Sequence, residues 1–313
     1  MNNKKIPIGI SSCLLGESVR FDSGHKKDAY IVGTLGQYFE FHPFCPEVGI
    51  GLGVPRPAMR LIQQDDSIHC VVIKDMSKDM TARLKNFAEQ QQTKHAELCG
   101  YIVKKDSPSC GMERVKVFSG DMPHRIGTGI YTQTLIQNYP LLPVEEEGRL
   151  GDPNLRENFI QRVYSYYRWR CLMNEGITVQ KLTRFHAQHK LIIMSHGDYQ
   201  PLGRLLASAN KENLLDIATQ YITELMKLLK TIATRNQHVN VLQHIQGYLK
   251  KELTADNKAE LCELIEAYRR GELPLIVPIT LLKHHFRQSP DAYIEESYYM
   301  SPYPQELQLL NQL

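Results

Sequence analysis

Three of the seven cysteines lie in short strings that also contain Ser, Pro, Glu or Gly. Cys13 stands in SSCLLG, Cys45 in HPFCPE and Cys110 in SPSCG. Because Pro and Gly mark turns, these cysteines are predicted in loops that face a ligand rather than in a core. The other four lie in apolar or helical runs, where a cysteine usually packs as a small hydrophobic residue: Cys70, Cys99, Cys171 and Cys262.

Three thiolates without a fourth suit an iron–sulfur cluster better than a structural zinc ion, which takes four closed ligands. The chain has no CxxC pair, which argues against a zinc ribbon or a thioredoxin-type site. A cluster held by three cysteines leaves one iron open, and open iron is a Lewis acid with affinity for soft sulfur. The residue types therefore predict a substrate that carries sulfur.

The elements that must bring these loops together alternate between strands and helices. Short apolar runs predict strands at 6–15, 41–48, 68–74 and 98–105, and helical periodicity falls at 28–39, 77–98 and 128–137. This alternation predicts an α/β domain, with a mostly parallel sheet and helices on both faces. Ligands of such sheets bind beyond the carboxyl ends of the strands, where the three cysteine loops are expected to meet.

From residue 154 onward the strand signals stop and helical stretches follow one another, so an all-α domain is predicted after the α/β domain. The predicted division is an α/β domain at 1–153, a helix and linker at 154–180, and an all-helical domain at 181–313. The net charge of +3 and the absence of a long apolar run or signal peptide predict a cytoplasmic protein that does not enter a membrane.

Five strings in order along the first half resemble the thiouracil desulfidase family. They are SCLLG (12–16), VRFDSG (19–24), CPEVGIGLGVPRP (45–57), SPSCG (107–111) and LPVEEEGRL (142–150), and the resemblance spans about residues 5–152. In the second half, LTRFHAQHKLIIMSHGDYQPLGRLLA (182–207) resembles the YbgA-type helical domain. This two-domain arrangement resembles tRNA 4-thiouridine desulfidases.

The resemblance implies a 4Fe–4S cluster held by Cys13, Cys45 and Cys110. It implies Glu47 as the carboxylate that activates water, and a serine that assists it. Ser107, three residues before the last cysteine, is the predicted serine, and Ser109 is the alternative. The implied reaction is hydrolytic cleavage of the carbon–sulfur bond, which converts 4-thiouridine in tRNA to uridine and releases hydrosulfide.

Further residues near these strings are predicted to contact the substrate: Ser12, Arg20, Asp22, Arg56 and Ser109. Arg56 lies between two prolines, which would hold it as a rigid contact for a phosphate or a ring edge. The VRFDSG string carries Ser23 where a shorter turn is expected, which leaves the role of Asp22 open.

The second half interleaves aromatic residues with cations, a pattern typical of RNA binding, although aromatics at helical spacing more often form a core. Residues 154–204 contain eight Lys and Arg against three Asp and Glu. The predicted RNA-binding residues are Arg168, Arg170, Arg184, His186, Lys190 and Arg204. The predicted partner is therefore tRNA that contains 4-thiouridine.

Three other functions remain open at this point. An electron-transfer or sulfur-sensing iron–sulfur protein would not need Glu47, and a desulfidase acting on free thiouracil or thionucleosides would not need the helical domain. A sulfur-inserting enzyme normally uses ATP, but the chain contains no GxxxxGK[ST] string, so no nucleotide triphosphate is predicted as a ligand.

Overall fold

The structure is a computed structural model that describes residues 5–307 and 309–311. The chain forms two compact units, Met1–Asp152 and Pro153–Leu313. The first unit ends one residue before the predicted boundary. The segment set apart at 154–180 belongs to the second unit, because it is mostly one helix, Pro153–Asn174, whose Asn158 donates to the carbonyl of Leu229 in that unit.

Strands of the first unit form two sheets. In chain order they are β1 (Ile6–Ser11), β2 (Phe39–Phe44), β3 (Met59–Gln64), β4 (Ser67–Val72), β5 (Asp75–Asp79), β6 (Gly100–Val103), β7 (Val115–Ser119), β8 (Met122–Gly127) and β9 (Val144–Glu146). The first sheet has the order β2-β1-β6-β9, and all of its neighbouring strands are parallel. Its carboxyl edge is therefore where the loops after β1, β2 and β6 meet.

The second sheet has the order β5-β4-β3-β7-β8, with a parallel β3/β7 pair between antiparallel neighbours. The predicted strand at 68–74 lies here, and not in the parallel sheet, because Asp65 and Asp66 turn the chain into a hairpin between β3 and β4. The core behind this sheet contains Leu61, Cys70, Leu84 and Val117. Cys70 thus has the structural role predicted for it.

Short helices connect the strands of the first unit. They are α1 (Ala29–Gly33), α2 (Pro46–Gly49), α3 (Thr81–Gln90), α4 (Gln92–His95) and α5 (Ile130–Asn138). Asp28 caps α1 by accepting a hydrogen bond from the Ile31 amide, as its position in the sequence predicts. The α/β class of the first unit is confirmed, whereas the helix predicted at 77–98 divides at Gln91 into α3 and α4.

The second unit is helical throughout the part that the structure describes. Its helices are α6 (Pro153–Asn174), α7 (Val179–His196), α8 (Gln200–Ala207), α9 (Leu214–Leu229), α10 (Arg235–Tyr248), α11 (Ala255–Arg270), α12 (Ile276–Gln288) and α13 (Ala292–Glu296). Thr234 and Gln237 form a capping box on α10, and Gly271, at φ 83°, ends α11 in the left-handed region. No helix among the described residues is long and apolar enough to cross a bilayer.

Candidate active site

A cavity of about 270 Å³ opens where β1, β2 and β6 end. Cys13, Cys45 and Cys110 all line it, together with Glu47 and Ser107. The parallel sheet thus brings together three loops that are far apart in sequence, as the strand order requires. This convergence is the central feature of the first unit.

Local backbone structure fixes each cysteine in its loop. Cys13 lies in the 3-10 turn Ser12–Leu15, which ends at Gly16 with φ 100°. Cys45 is the residue before α2, whose first position is Pro46. The Cys110 amide donates to Ser107 Oγ at 3.1 Å. A Cβ at Gly129 would lie 2.5 Å from the carbonyl carbon of Ser109, so only glycine permits this close approach.

Burial keeps the three sulfurs in the thiol form while nothing is bound. It raises the pKa of Cys13 to about 11 and that of Cys110 to about 12, and it also raises the pKa of Cys45. A negative charge on Cys45 adds, after burial, to the pKa increase of both Cys13 and Cys110. Metal binding here would displace protons from these sulfurs.

The donor set fits a cluster and not a single ion. Within residues 5–307 and 309–311, no three His, Cys, Asp or Glu side chains converge closely enough to bind one metal ion. Cluster ligands bind separate irons, so three cysteines spread around one cavity match that requirement. Ser109 Oγ lies 3.5 Å from the sulfur of Cys110 and provides a polar neighbour for a bound thiolate.

Glu47 is held from two sides at the floor of this cavity. Arg56 donates to Oε2 of Glu47 from Nε at 2.8 Å and from Nη2 at 2.6 Å. Ser109 donates from Oγ to Oε1 at 2.7 Å. With its carboxylate oriented in this way, Glu47 can accept a proton from a molecule in the cavity.

The two candidate serines form one chain of hydrogen bonds that ends on Glu47. Their hydroxyl oxygens are 3.0 Å apart. Because the Ser109 proton is committed to Glu47, Ser107 must be the donor between them. Ser109 is fully buried, whereas Ser107 is half-buried in the cavity lining, so Ser107 is the serine that a substrate can reach.

Two of the predicted substrate contacts have partners within the protein. Arg56 lines the cavity, but its side chain is only 4% exposed and its guanidinium pairs with Glu47, because a cation beside a largely buried carboxylate stabilises its charge. Asp22 is exposed and is not among the cavity residues; it accepts a hydrogen bond from the Gly24 amide at 3.1 Å and pairs with Arg20. Ser12 and Arg20 do line the cavity.

Cations that were not predicted from the sequence also line this cavity. Lys104 pairs with Glu147, and both side chains are largely buried. The other oxygen of Glu147 accepts a hydrogen bond from the Lys105 amide at 2.7 Å. Lys26 lines the same cavity and is exposed. The signal was present in the sequence, since Lys104 and Lys105 directly follow the strand that leads to SPSCG.

Two of the predicted RNA-binding residues have structural roles instead. The Arg168 guanidinium lies 3.7 Å from the centre of the Tyr298 ring and donates to the carbonyl of Pro302, and burial lowers its pKa to about 10. His186 is buried, and its Nδ1 is 3.0 Å from the Tyr221 hydroxyl. Both residues face the aromatic core of the helical unit, which is the common outcome for such a pattern.

The other predicted RNA-binding residues are more accessible. Arg184 is exposed and forms a two-nitrogen ion pair with Glu296. Arg204 is exposed at the end of α8. Lys190 is half-buried over the Tyr199 ring, and Arg170 is half-buried on α6. These four residues stay predictions.

Comparison with known proteins matches each unit separately. Residues 8–147 match the family described as 2-thiouracil desulfurase, and residues 190–304 match a family described as a protein of unknown function, DUF1722. The protein YbgA of Escherichia coli (strain K12) is 32% identical over 151 residues, which are 47% of this chain and 89% of that protein. The solved structure of a 4Fe–4S-dependent thiouracil desulfidase, TudS, has 29% sequence identity to this chain. The match covers 47% of this chain and 95% of the TudS chain, with a TM-score of 0.39.

The chain thus joins a domain of the 2-thiouracil desulfurase type to a helical domain of the YbgA type, which confirms the resemblance seen in the sequence. Given its identity to YbgA and the share of that protein that it covers, the chain belongs to the YbgA family.

Proposed function

We propose that this protein is an iron–sulfur-dependent desulfidase that removes sulfur from thiolated pyrimidines, with 4-thiouridine in tRNA as its main substrate. The observation that carries the proposal is the shared cavity of Cys13, Cys45 and Cys110 with Glu47 and Ser107. The match of residues 8–147 to 2-thiouracil desulfurases supports the same reaction. The three cysteines spread around one cavity support a 4Fe–4S cluster as the cofactor, and TudS depends on a cluster of this type.

Cys13, Cys45 and Cys110 would hold the cluster. When bound, the cluster would supply a Lewis-acidic iron with affinity for soft sulfur. Glu47 provides the base. Its Oε1 accepts a proton from a water molecule, whose oxygen then forms the new bond to the ring carbon.

Protons and electrons balance without an external reductant. The carbon–sulfur bond breaks, a carbon–oxygen bond replaces it, and sulfur leaves as hydrosulfide with the electrons of the broken bond. Arg56 keeps Glu47 in place through two hydrogen bonds to one carboxylate oxygen. Ser107, at the open end of the hydrogen-bonded chain, turns its one proton from Ser109 to a polar atom of the substrate ring when the substrate binds, while Ser109 keeps its hydrogen bond to Glu47.

The helical domain supports a polymeric substrate. A free base would not require a second unit of this size, and residues 154–204 have a marked excess of positive charge. Arg204 presents a cation at the surface, where it can neutralise a phosphate, and Arg184 can do so in exchange for its ion pair with Glu296. Cations at the cavity, Lys26 and Lys105 among them, fit a nucleotide in the same way.

The test uses protein reconstituted with iron and sulfide without oxygen. It is mixed with tRNA that contains 4-thiouridine, and the thiocarbonyl absorbance and the sulfide released are followed together. The wild type is expected to lose the absorbance, whereas Cys110→Ala and Glu47→Ala are expected to retain it. Cys70→Ala is the matched cysteine control, because Cys70 lies in the core behind the second sheet.

Free thiouracil is the second substrate in this test. If the protein holds its cluster and acts on thiouracil but leaves thiolated tRNA intact, the desulfidase function stands and the tRNA substrate is wrong. If neither substrate reacts although the cluster is present, the desulfidase proposal itself is wrong.

A further inference from the structure

A second cavity, of about 230 Å³, lies entirely within the helical unit. We call it the helical-domain cavity and define it by Glu157 and Gln161 of α6, Arg235 and His238 of α10, and Tyr268 of α11. Its wall also includes His196 and Leu275. No residue of the proposed active site contributes to it.

Glu157, His238 and Arg235 are half-buried in this wall, and each has a hydrogen-bond partner within the protein for only some of its polar atoms. Tyr303 donates its hydroxyl to Oε1 of Glu157 at 2.8 Å. The Tyr299 hydroxyl lies 2.8 Å from Nδ1 of His238, and Arg235 donates from Nη1 to the Tyr268 carbonyl at 3.0 Å. These contacts fix the orientation of each side chain.

The same side chains keep hydrogen-bonding atoms for a ligand. Among residues 5–307 and 309–311, no partner is found for Oε2 of Glu157, Nε2 of His238 or the remaining guanidinium hydrogens of Arg235. The amide oxygen of Gln161 lies 2.5 Å from Nε2 of His196, and its amide nitrogen is left for a ligand. Burial raises the pKa of Glu157 to about 7, so near neutral pH its carboxyl group can donate as well as accept.

The chemistry of the wall narrows the class of ligand. The wall offers hydrogen-bond donors and acceptors side by side, from the amide of Gln161, the partly protonated carboxyl group of Glu157 and the imidazole of His238. Proteins recognise the edge of a nucleobase with donors and acceptors arranged in this way. Leu275 offers an apolar surface for the face of a ring, whereas the Arg235 guanidinium lies 5.0 Å from the centre of the Tyr268 ring and covers one of its faces. A phosphate alone fits poorly, since Glu157 would oppose its charge. The volume is below the range of sites for drug-sized molecules and suits a smaller group.

From these contacts we propose that the helical-domain cavity binds a nucleobase, read by Glu157, Gln161 and His238 on its edge. The base has two possible sources, a free nucleoside or a nucleotide turned out of an RNA chain. Base binding in this cavity does not depend on desulfidation, because the two cavities share no residue.

Calorimetric titration of the full-length, cluster-loaded protein tests the site. The probes are uridine, cytidine, adenosine and guanosine, followed by unmodified tRNA and by inorganic phosphate. Glu157→Gln changes the edge that is read, and Leu275→Trp fills the cavity without removing a polar group. Glu224→Gln, on the exposed side of α9, is the matched control.

Binding of at least one nucleoside, weakened tenfold or more by Glu157→Gln and Leu275→Trp but unchanged in Glu224→Gln, is the expected result. If only tRNA binds and Leu275→Trp weakens it tenfold, the base comes from RNA and the proposal holds. If the cavity variants leave all binding unchanged, or if phosphate binds as tightly as any nucleoside, the proposal is overturned.

Sulfide release from free thiouracil and helical circular dichroism are measured on every variant. Unchanged sulfide release together with altered base binding assigns the effect to the helical-domain cavity. A variant that loses its helical signal is replaced by Gln161→Leu, which removes the amide but keeps a similar volume. If that variant folds and binds every probe as the wild type does, the proposal is overturned as well.

Discussion

Arg56 places Nε and Nη2 on the same oxygen of Glu47, at 2.8 and 2.6 Å, with the arginine side chain 4% exposed and the glutamate side chain 15% exposed. A pair with this geometry is a charge-assisted contact protected from solvent. It explains how a carboxylate remains in place beside three sulfur ligands. Arg56 is therefore a positioning residue, although its place between two prolines in the sequence predicted a substrate contact.

Replacement of Arg56 by Met is expected to lower kcat by about 100-fold, because Glu47 loses the cation that orients it. It should also lower the free energy of unfolding by about 3 kcal/mol, since one partner of a buried ion pair remains without its counterpart. Arg56→Lys, which keeps the charge but not the two-nitrogen contact, should recover part of kcat with KM unchanged. Steady-state rates of sulfide release give both constants. Equal rates for wild type and Arg56→Met would contradict the positioning role.

The two serines are expected to differ. Ser107→Ala should lower kcat by about 100-fold or more, because it removes the hydroxyl group that the substrate reaches. Ser109→Ala should have a smaller effect, about tenfold, since Arg56 still holds Glu47. Iron content is measured in both variants, because Ser107 also accepts a hydrogen bond from the Cys110 amide. If Ser109→Ala lowers kcat more than Ser107→Ala does, at full iron content, then Ser109 is the serine that acts on the substrate.

The convergence of the three cysteines on one cavity was predictable from sequence, whereas the polar network around them was not. Cys13, Cys45 and Cys110 stand in turn-forming strings after apolar runs, and parallel strands must bring such loops to one edge. The Arg56–Glu47 pair depends on how the chain folds back between residues nine positions apart, which hydrophobic periodicity does not describe. The separate second sheet was missed for a similar reason, because a strand pattern does not reveal its neighbours.

In the helical unit the elements could be predicted from sequence, but the orientation of their side chains could not. Its helical character was predictable from 3.6-residue periodicity, and the structure ends α11 at Gly271 in the left-handed region. Charge and aromatic content, however, do not show which side chains face inward. Arg168 and His186 belong to a basic, aromatic sequence, and yet their polar groups bind Pro302 and Tyr221 inside the unit.

Cysteine substitutions should separate ligands from structural thiols. Alanine in place of Cys13, Cys45 or Cys110 is expected to abolish the bound iron and the visible absorbance after reconstitution, since each removes one of three ligands. Cys70→Ala should retain both and should lower the free energy of unfolding by roughly 1 kcal/mol, because it only reduces core packing. Iron and sulfide analysis measures the outcome. If the alanine variant of Cys13, Cys45 or Cys110 still binds iron fully, that cysteine is not a ligand of the cluster.

Stability of the helical unit is expected to fall on acidification because several of its histidines are buried in neutral form. Burial lowers the pKa of His189 to about 3, that of His196 to about 4 and that of His238 to about 3. Unfolding returns each imidazole to its usual pKa near 6.5. Between about pH 4 and pH 6.5 the unfolded chain therefore binds protons that the folded chain does not, and stability falls as the pH falls.

Glu157 opposes this trend, because burial raises its pKa to about 7 and the folded chain keeps a proton there that the unfolded chain releases. Three histidines against one carboxyl group leave a net uptake of about two protons on unfolding near pH 5, or roughly 2 to 3 kcal/mol per pH unit. His186, His244 and His285 add to this uptake, because burial lowers their pKa values as well. Urea unfolding followed by helical circular dichroism at pH 7 and pH 5 measures the slope. His189→Phe should flatten it by about one proton and Glu157→Gln should steepen it. A wild type that is equally stable at both pH values would show that these histidines are not buried as neutral groups.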